Sequence, residues 1–171
     1  MLLDLRKSRP LRMRDVSALI VDSNRFNRNL MSEIMRAIDI SNVTSAGHTQ
    51  SALDRLHEDR STVVFLEVSE LNEMDALGFA RLVRTQHDDR TRRVPIIATS
   101  SQITKQIVID GRNAAVDEFL KKPCSPNDVI HRLKMVVETP RPFVESDVYV
   151  GPCRRRKNPA DYHGPMRRTS D

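Results

Sequence analysis

Between residues 16 and 137 the chain alternates short apolar runs with longer stretches in which apolar residues recur every three or four positions. Runs of the first kind fit strands buried on both faces, and stretches of the second kind fit helices with one apolar stripe. The run 16–22 ends in Asp22, and Asn24 follows as a cap for a helix with Phe26, Leu30, Ile34 and Ile38 on one face. A weaker strand at 42–46 leads to Thr49, a cap for the amphipathic segment carrying Ala52, Leu53 and Leu56. The run 62–67 again ends in an acid, Glu67, and a loop then leads to a helix through Leu77, Phe79, Leu82 and Val83. A fourth strand opens at Pro95, followed by a short helix over 103–110 closed by Gly111. The fifth strand, 116–122, is followed by Ser125-Pro126, a cap with proline at the first helical position, which opens a helix through Val129, Leu133 and Val136.

Five strand–helix units of this kind predict an α/β fold, a five-stranded parallel sheet with helices on both faces. In such a doubly wound sheet the ligand crevice lies at the carboxyl ends of the strands, near the switch in strand order. The residues to read are therefore Asp22, Glu67, Thr99 or Ser100, and Lys122. Met31, Met35 and Met135 stand at helical core spacing and need no cofactor. The five histidines are scattered without nucleophile or metal-ligand spacing, so nothing argues for a hydrolase and no enzymatic activity is expected.

Two strand-end carboxylates, a hydroxyl and a lysine followed by Pro123 resemble the pocket of the receiver domain of two-component response regulators, the CheY-like fold. The resemblance covers about residues 16–137 and is carried by the runs ending in Asp22, Glu67 and Lys122-Pro123. It implies that Ser100 stands at the family's hydroxyl switch and Phe119 at its aromatic partner; packing is the preferred reading for Phe119, and both readings stay open for Ser100. Three departures matter. Receivers end their first strand with two adjacent acids that hold magnesium, whereas Asp22 is followed by Ser23. They carry an aspartate phosphoacceptor where this chain has Glu67, and the loop 69–76 is one residue longer than the family's. Losing a carboxylate weakens a hard-cation site, and glutamate is one methylene too long for an in-line geometry built on aspartate. Phospho-signalling is therefore expected to be lost and magnesium is not expected. Two other roles for Glu67 remain: metal or phosphate ligand, and ion-pair partner of Lys122 imitating an activated state.

Apolar periodicity stops near residue 139, which divides the chain into a basic arm (1–15), the receiver-like domain (16–138) and a tail (139–171). Residues 1–14 hold five basic groups against Asp4, and residues 139–171 hold seven against four acids, while the stretch between is slightly acidic. Positive ends fit a polyanionic partner or solvated termini; for the N-terminal arm, whose basic residues show no repeat, solvation is the preferred reading. Cys124 and Cys153 are too few for a disulfide framework or zinc site, which fits a reducing cytoplasm. No window approaches eighteen apolar residues, so no membrane span is expected. Residues 140–171 offer few apolar side chains to offset ordering and are expected to be disordered without ligand.

The tail contains its own repeat. Tyr149-Val-Gly-Pro-Cys-Arg154-Arg155, continuing into Arg156, is echoed by Tyr162-His-Gly-Pro-Met-Arg167-Arg168, with the shared pattern Tyr-x-Gly-Pro-x-Arg-Arg and the tyrosines thirteen residues apart. Guanine presents N7 and O6 acceptors that match an arginine fork, a flat face for tyrosine or guanidinium, and N–H donors that suit Asp147, Asp161 or Asp171. A ligand with two guanines and two phosphates suits a duplicated element, and cyclic di-GMP is such a ligand. A receiver-like domain followed by an arginine-rich extension resembles the Cle family, CheY-like proteins that bind cyclic di-GMP through that extension and act on the flagellar motor. The resemblance implies a cytoplasmic effector recruited to the flagellar motor switch. The competing readings are a nucleic-acid adaptor with basic tails and a phospho-responsive regulator.

Overall fold

The computed structural model describes residues 11–69 and 75–154. A five-stranded parallel sheet in the order β2-β1-β3-β4-β5 forms the centre. Its strands are β1 (Ser17–Val21), β2 (Asn42–Ala46), β3 (Val63–Glu67), β4 (Ile96–Ser100) and β5 (Glu118–Lys121). The crossovers are α1 (Arg25–Ala37), α2 (Thr49–Glu58), α3 (Ala76–Arg84) with a short α4 (Asp89–Arg92), and α5 (Lys105–Asn113), and α6 (Pro126–Val137) closes the unit. The strand-order switch between β1 and β3 opens the crevice at their carboxyl ends, as expected.

Strand alternation divides the core in two. Leu19, Val21, Val64, Leu66 and Ile96 meet Phe79, Ala80 and Val83 on one face, while Ala18, Ile20, Val63, Phe65 and Ile97 meet Met31, Met35 and Leu133 on the other. Local chemistry sets the helix starts. The Asn24 side chain accepts from the amides of Phe26 and Asn27, and Ser125 and Asp128 form a reciprocal capping box with Pro126 at the first helical position.

Three helical expectations shift. In α1 the core face is Met31 and Met35, and the expected stripe fails at its start, where Phe26 is 72% and Leu30 51% exposed. Helix α2 begins on Thr49 itself, with His48 as the capping position and no side-chain cap bond. Gly111 lies inside α5 rather than closing it: an added Cβ there would fall 2.6 Å from the Phe119 ring, so glycine lets that ring lie against the helix. Phe119 packs against the core, in line with the packing reading.

The larger difference lies past α6. Disorder was expected from residue 140, yet β6 (Phe143–Ser146) and β7 (Tyr149–Pro152) form an antiparallel hairpin. A lone two-stranded hairpin is marginal in water, so its order comes from docking. Arg141 donates to the carbonyls of Val116, Asp117 and Cys153. The Phe143 ring lies under the guanidiniums of Arg93 and Arg84, 4.6 and 5.8 Å from its centroid. Glu145 pairs with Arg92 and Arg93. These contacts place the hairpin at the amino ends of β4 and β5, opposite the crevice.

Candidate functional site

At the crevice the strand ends bring Asp22, Glu67 and Lys122 together, as the sequence predicts. The Lys122 ammonium lies in direct contact with Glu67 Oε2 and 3.4 Å from Asp22 Oδ2, and the Asp22 and Glu67 side chains are each only 6% exposed. The hydroxyl that meets Glu67 is that of Thr99, which donates to Oε2 at 3.1 Å because β3 and β4 register Glu67 against Thr99. Ser100 is buried too, but its Oγ donates to the Gln102 carbonyl and accepts from the Gln102 amide. Of the two hydroxyls left open by the sequence, Thr99 is therefore the one on the carboxylate. At the rim, Arg28 donates to the carbonyls of Asp22 and Ser23 and fixes the loop leading into α1.

Ile20, Asn27, Met31 and Phe65 complete a cavity of about 10 Å³, room for a single water. Two carboxylates already joined by an ammonium do not make the oxygen cage of a magnesium ion, and among the described residues no group of three acids, histidines or cysteines converges. Burial raises the Glu67 carboxyl above its ordinary value, while Lys122 pulls it down, Asp22 adds to the rise and Thr99 opposes it. Because the folded pKa is raised, Glu67 takes up a proton more readily in the fold than in the unfolded chain. The contribution of Glu67 to stability is then fullest below its unfolded pKa and is lost as pH rises through the folded value. Urea unfolding of the wild-type chain and Glu67→Gln from about pH 4 to about pH 7 is expected to move the difference against the wild type as pH rises. A difference that stays flat would mean that Lys122 fully offsets the burial.

A second constellation lies on the docked hairpin, in the first copy of the repeat. The Arg154 guanidinium covers the Tyr149 ring at 4.2 Å, and its Nη1 donates to Asn113 Oδ1 at 3.1 Å. The Tyr149 hydroxyl donates to the Pro152 carbonyl at 2.7 Å, and burial raises the pKa of this phenol. Gly151 has φ +152, and an added Cβ would stand 2.3 Å from that of Ala115, itself at φ 64. Glycine is thus required for this close approach to the α5–β5 turn. The other predicted ligand residues, Arg155, Arg156, Asp161, Tyr162, Arg167, Arg168 and Asp171, lie outside the described residues. Sequence reasoning passed over Asn113, Arg141 and Phe143, and also Arg84, which is 3% exposed. The basic charge at residue 141 reads as part of a free tail, and of the two arginines on α3, Arg81 and Arg84, nothing in the sequence marks Arg84 as buried.

Among the described residues no helix is long and apolar enough to cross a membrane. The chain is 26% identical over 121 residues to chemotaxis protein CheY1 of Helicobacter pylori, a span of 71% of this chain and 96% of the relative. It is 26% identical over 123 residues to a probable chemotaxis protein CheY of Rhizobium etli, covering 72% and 90%. Among solved structures, chemotaxis protein CheY4 of Vibrio cholerae superposes with a TM-score of 0.64 at 21% identity, over 71% of this chain and 98% of that one. The receiver domain of a sensor histidine kinase of Pseudomonas aeruginosa, solved with magnesium in its active-site cleft, gives 0.63 at 21% identity, over 72% and 98%. At these identities the solved structures speak for the fold. The family model for the response regulator receiver domain matches residues 18–134. With the sheet order, the strand-end carboxylates and the lysine–proline pair in place, the chain belongs to the response regulator receiver domain family.

Proposed function

We propose that this protein is a non-enzymatic cyclic di-GMP effector of the signalling type, acting in the cytoplasm. The repeat carrying Tyr149, Arg154, Arg155 and Arg156, with Asp161, Tyr162, Arg167, Arg168 and Asp171, takes the dinucleotide. The receiver domain, no longer driven by phosphorylation, meets a protein partner such as the flagellar motor switch. The observation that carries the reading is the pairing of Arg154 with Tyr149 inside a duplicated Tyr-x-Gly-Pro-x-Arg-Arg element. Ring and fork, the two groups that read a guanine, stand side by side in one copy. The Lys122–Glu67 contact supports the second half of the reading, since the acceptor carboxylate is already neutralised from within. The partner rests on the kinship with chemotaxis proteins of the CheY type.

Calorimetric titration tests this directly. Cyclic di-GMP is expected to bind the intact chain and not a chain ending at Thr139, with GTP bound far more weakly and duplex DNA failing to compete at moderate salt. Binding by the shortened chain would place the ligand on the receiver. DNA binding that ignores sequence and collapses with salt would establish the adaptor instead. Labelling of Glu67 by acetyl phosphate would restore the phospho-responsive reading, which the retained Asp22, Glu67, Thr99 and Lys122 pocket favours as the alternative.

A further inference from the structure

We infer that the docked hairpin is a latch that nucleotide uptake opens, because docking and ligand recognition use the same groups of the first repeat. This rests on the cyclic di-GMP reading above and adds a regulation to it. One face of the Tyr149 ring is taken: the Arg154 guanidinium covers it at 4.2 Å, while Gly151 lies against the hydroxyl end of the ring and against the Ala115 turn. The hydroxyl is tied to Pro152, and the Arg154 fork is engaged by Asn113. A guanine that is to stack on the covered face of this tyrosine must displace the guanidinium, and one that is to accept from the whole fork must free it from Asn113. The rest of the hairpin is held by contacts a nucleotide does not need, above all Phe143 under Arg93 and Arg141 on the carbonyls of Val116 and Asp117.

Two mutually exclusive arrangements of one segment form a linked equilibrium. The apparent affinity is the intrinsic affinity reduced by the fraction undocked, so any change that weakens docking without touching the ligand groups tightens binding. A preformed platform that helps the ligand would give the opposite sign.

The test is titration of the full-length protein and two variants with cyclic di-GMP. Phe143→Ala removes an aromatic anchor outside both repeats, and Asn113→Ala frees Arg154 from the domain. Each is expected to tighten binding, by roughly two- to tenfold as the loss of one such contact allows, with unchanged stoichiometry. Ligand is also expected to speed hydrogen exchange at the amide of Cys153, which bonds to the Pro142 carbonyl in the docked form. Weaker or unchanged affinity in both variants, or slower exchange at Cys153 on binding, overturns the latch. If Phe143→Ala unfolds the domain, Asn113→Ala and the exchange measurement decide alone. A wild-type chain that binds no cyclic di-GMP sinks the functional reading and the latch with it, whereas binding indifferent to both variants sinks only the latch.

Discussion

Arg84→Met is expected to lower the stability of the domain by about 3–5 kcal/mol, the usual range for removing one partner of a buried ion pair. Arg84 is 3% exposed and ends α3 beneath the amino ends of two strands. Its Nη1 donates to the carbonyls of Arg92 and Val94 at 2.9 and 2.7 Å, its Nε to that of Ala115, and its Nη2 to Ala115 and to Asp117 Oδ2 at 2.9 and 2.8 Å. One guanidinium therefore joins α3, the segment entering β4, the α5–β5 turn and the start of β5. Methionine keeps the length and apolar stem but leaves two buried carbonyls and one half-buried one without this donor and Asp117 without its closest cation. Each orphaned acceptor costs about 1–3 kcal/mol, and relaxation and entering water return part of the total. Asp117 retains the Ile96 amide, at 2.8 Å, as a donor. Urea unfolding followed by far-ultraviolet circular dichroism measures the loss. A change under about 1 kcal/mol would mean that these bonds merely replace water, as at an exposed pair. Arg84→Lys is expected to fall between, because a single ammonium cannot serve carbonyls on both sides of a planar fork.

The same cluster explains which parts of the structure the sequence disclosed. Strands β1, β3 and β4 were legible because burial on both faces writes itself directly into composition, whereas β2 and β5, only partly buried, gave weaker signals. The Asn24 and Ser125 caps were legible because capping is local. The crevice residues followed from topology alone, since a parallel strand that ends in an acid must present it at the carboxyl edge. What escaped depends on contacts distant in sequence. Phe143, Val144, Tyr149 and Val150 are good strand formers, but the turn between them is Asp147-Val148 rather than Asn-Gly or Asp-Gly, so the strongest hairpin signal is absent. The hairpin is ordered by Arg84, Arg92 and Arg93, and nothing in residues 139–154 points to partners some fifty positions upstream. Thr99 was separated from Ser100 only by the β3–β4 register, which periodicity does not fix to one residue.

Docking of the first repeat also changes what the receiver can report. At one end of the sheet Lys122 bridges the crevice carboxylates, while the other end holds the hairpin of the first repeat. Arg141 grips β5 at the carbonyls leading into it, and Lys122 follows the same strand at its far end. Under the proposed function, input through the tail would reach β5 from the end opposite the crevice.

Arg155→Ala and Arg168→Ala are each expected to weaken cyclic di-GMP binding by about 1–3 kcal/mol, the worth of a bidentate, charge-assisted contact to a base. The two positions are equivalent in the repeat, so equal effects test whether both copies work. If each copy holds one guanine of the same ligand, releasing one guanine turns a two-point attachment into a one-point attachment. The double variant is then little worse than the weaker single, and the two changes are far from additive. A tail that acts only through charge behaves differently. Each lost cation would weaken binding by a similar small step, lysine would serve as well as arginine, and the steps would vanish in high salt. Titration of Arg155→Lys, Arg168→Lys and the alanine variants at low and high salt separates the two cases. The guanine fork requires the lysine variants to lose nearly as much as the alanine ones and the loss to persist in salt. Full affinity in the lysine variants would defeat it, because an ammonium can neutralise a phosphate but cannot present two parallel donors to the N7 and O6 edge of a base.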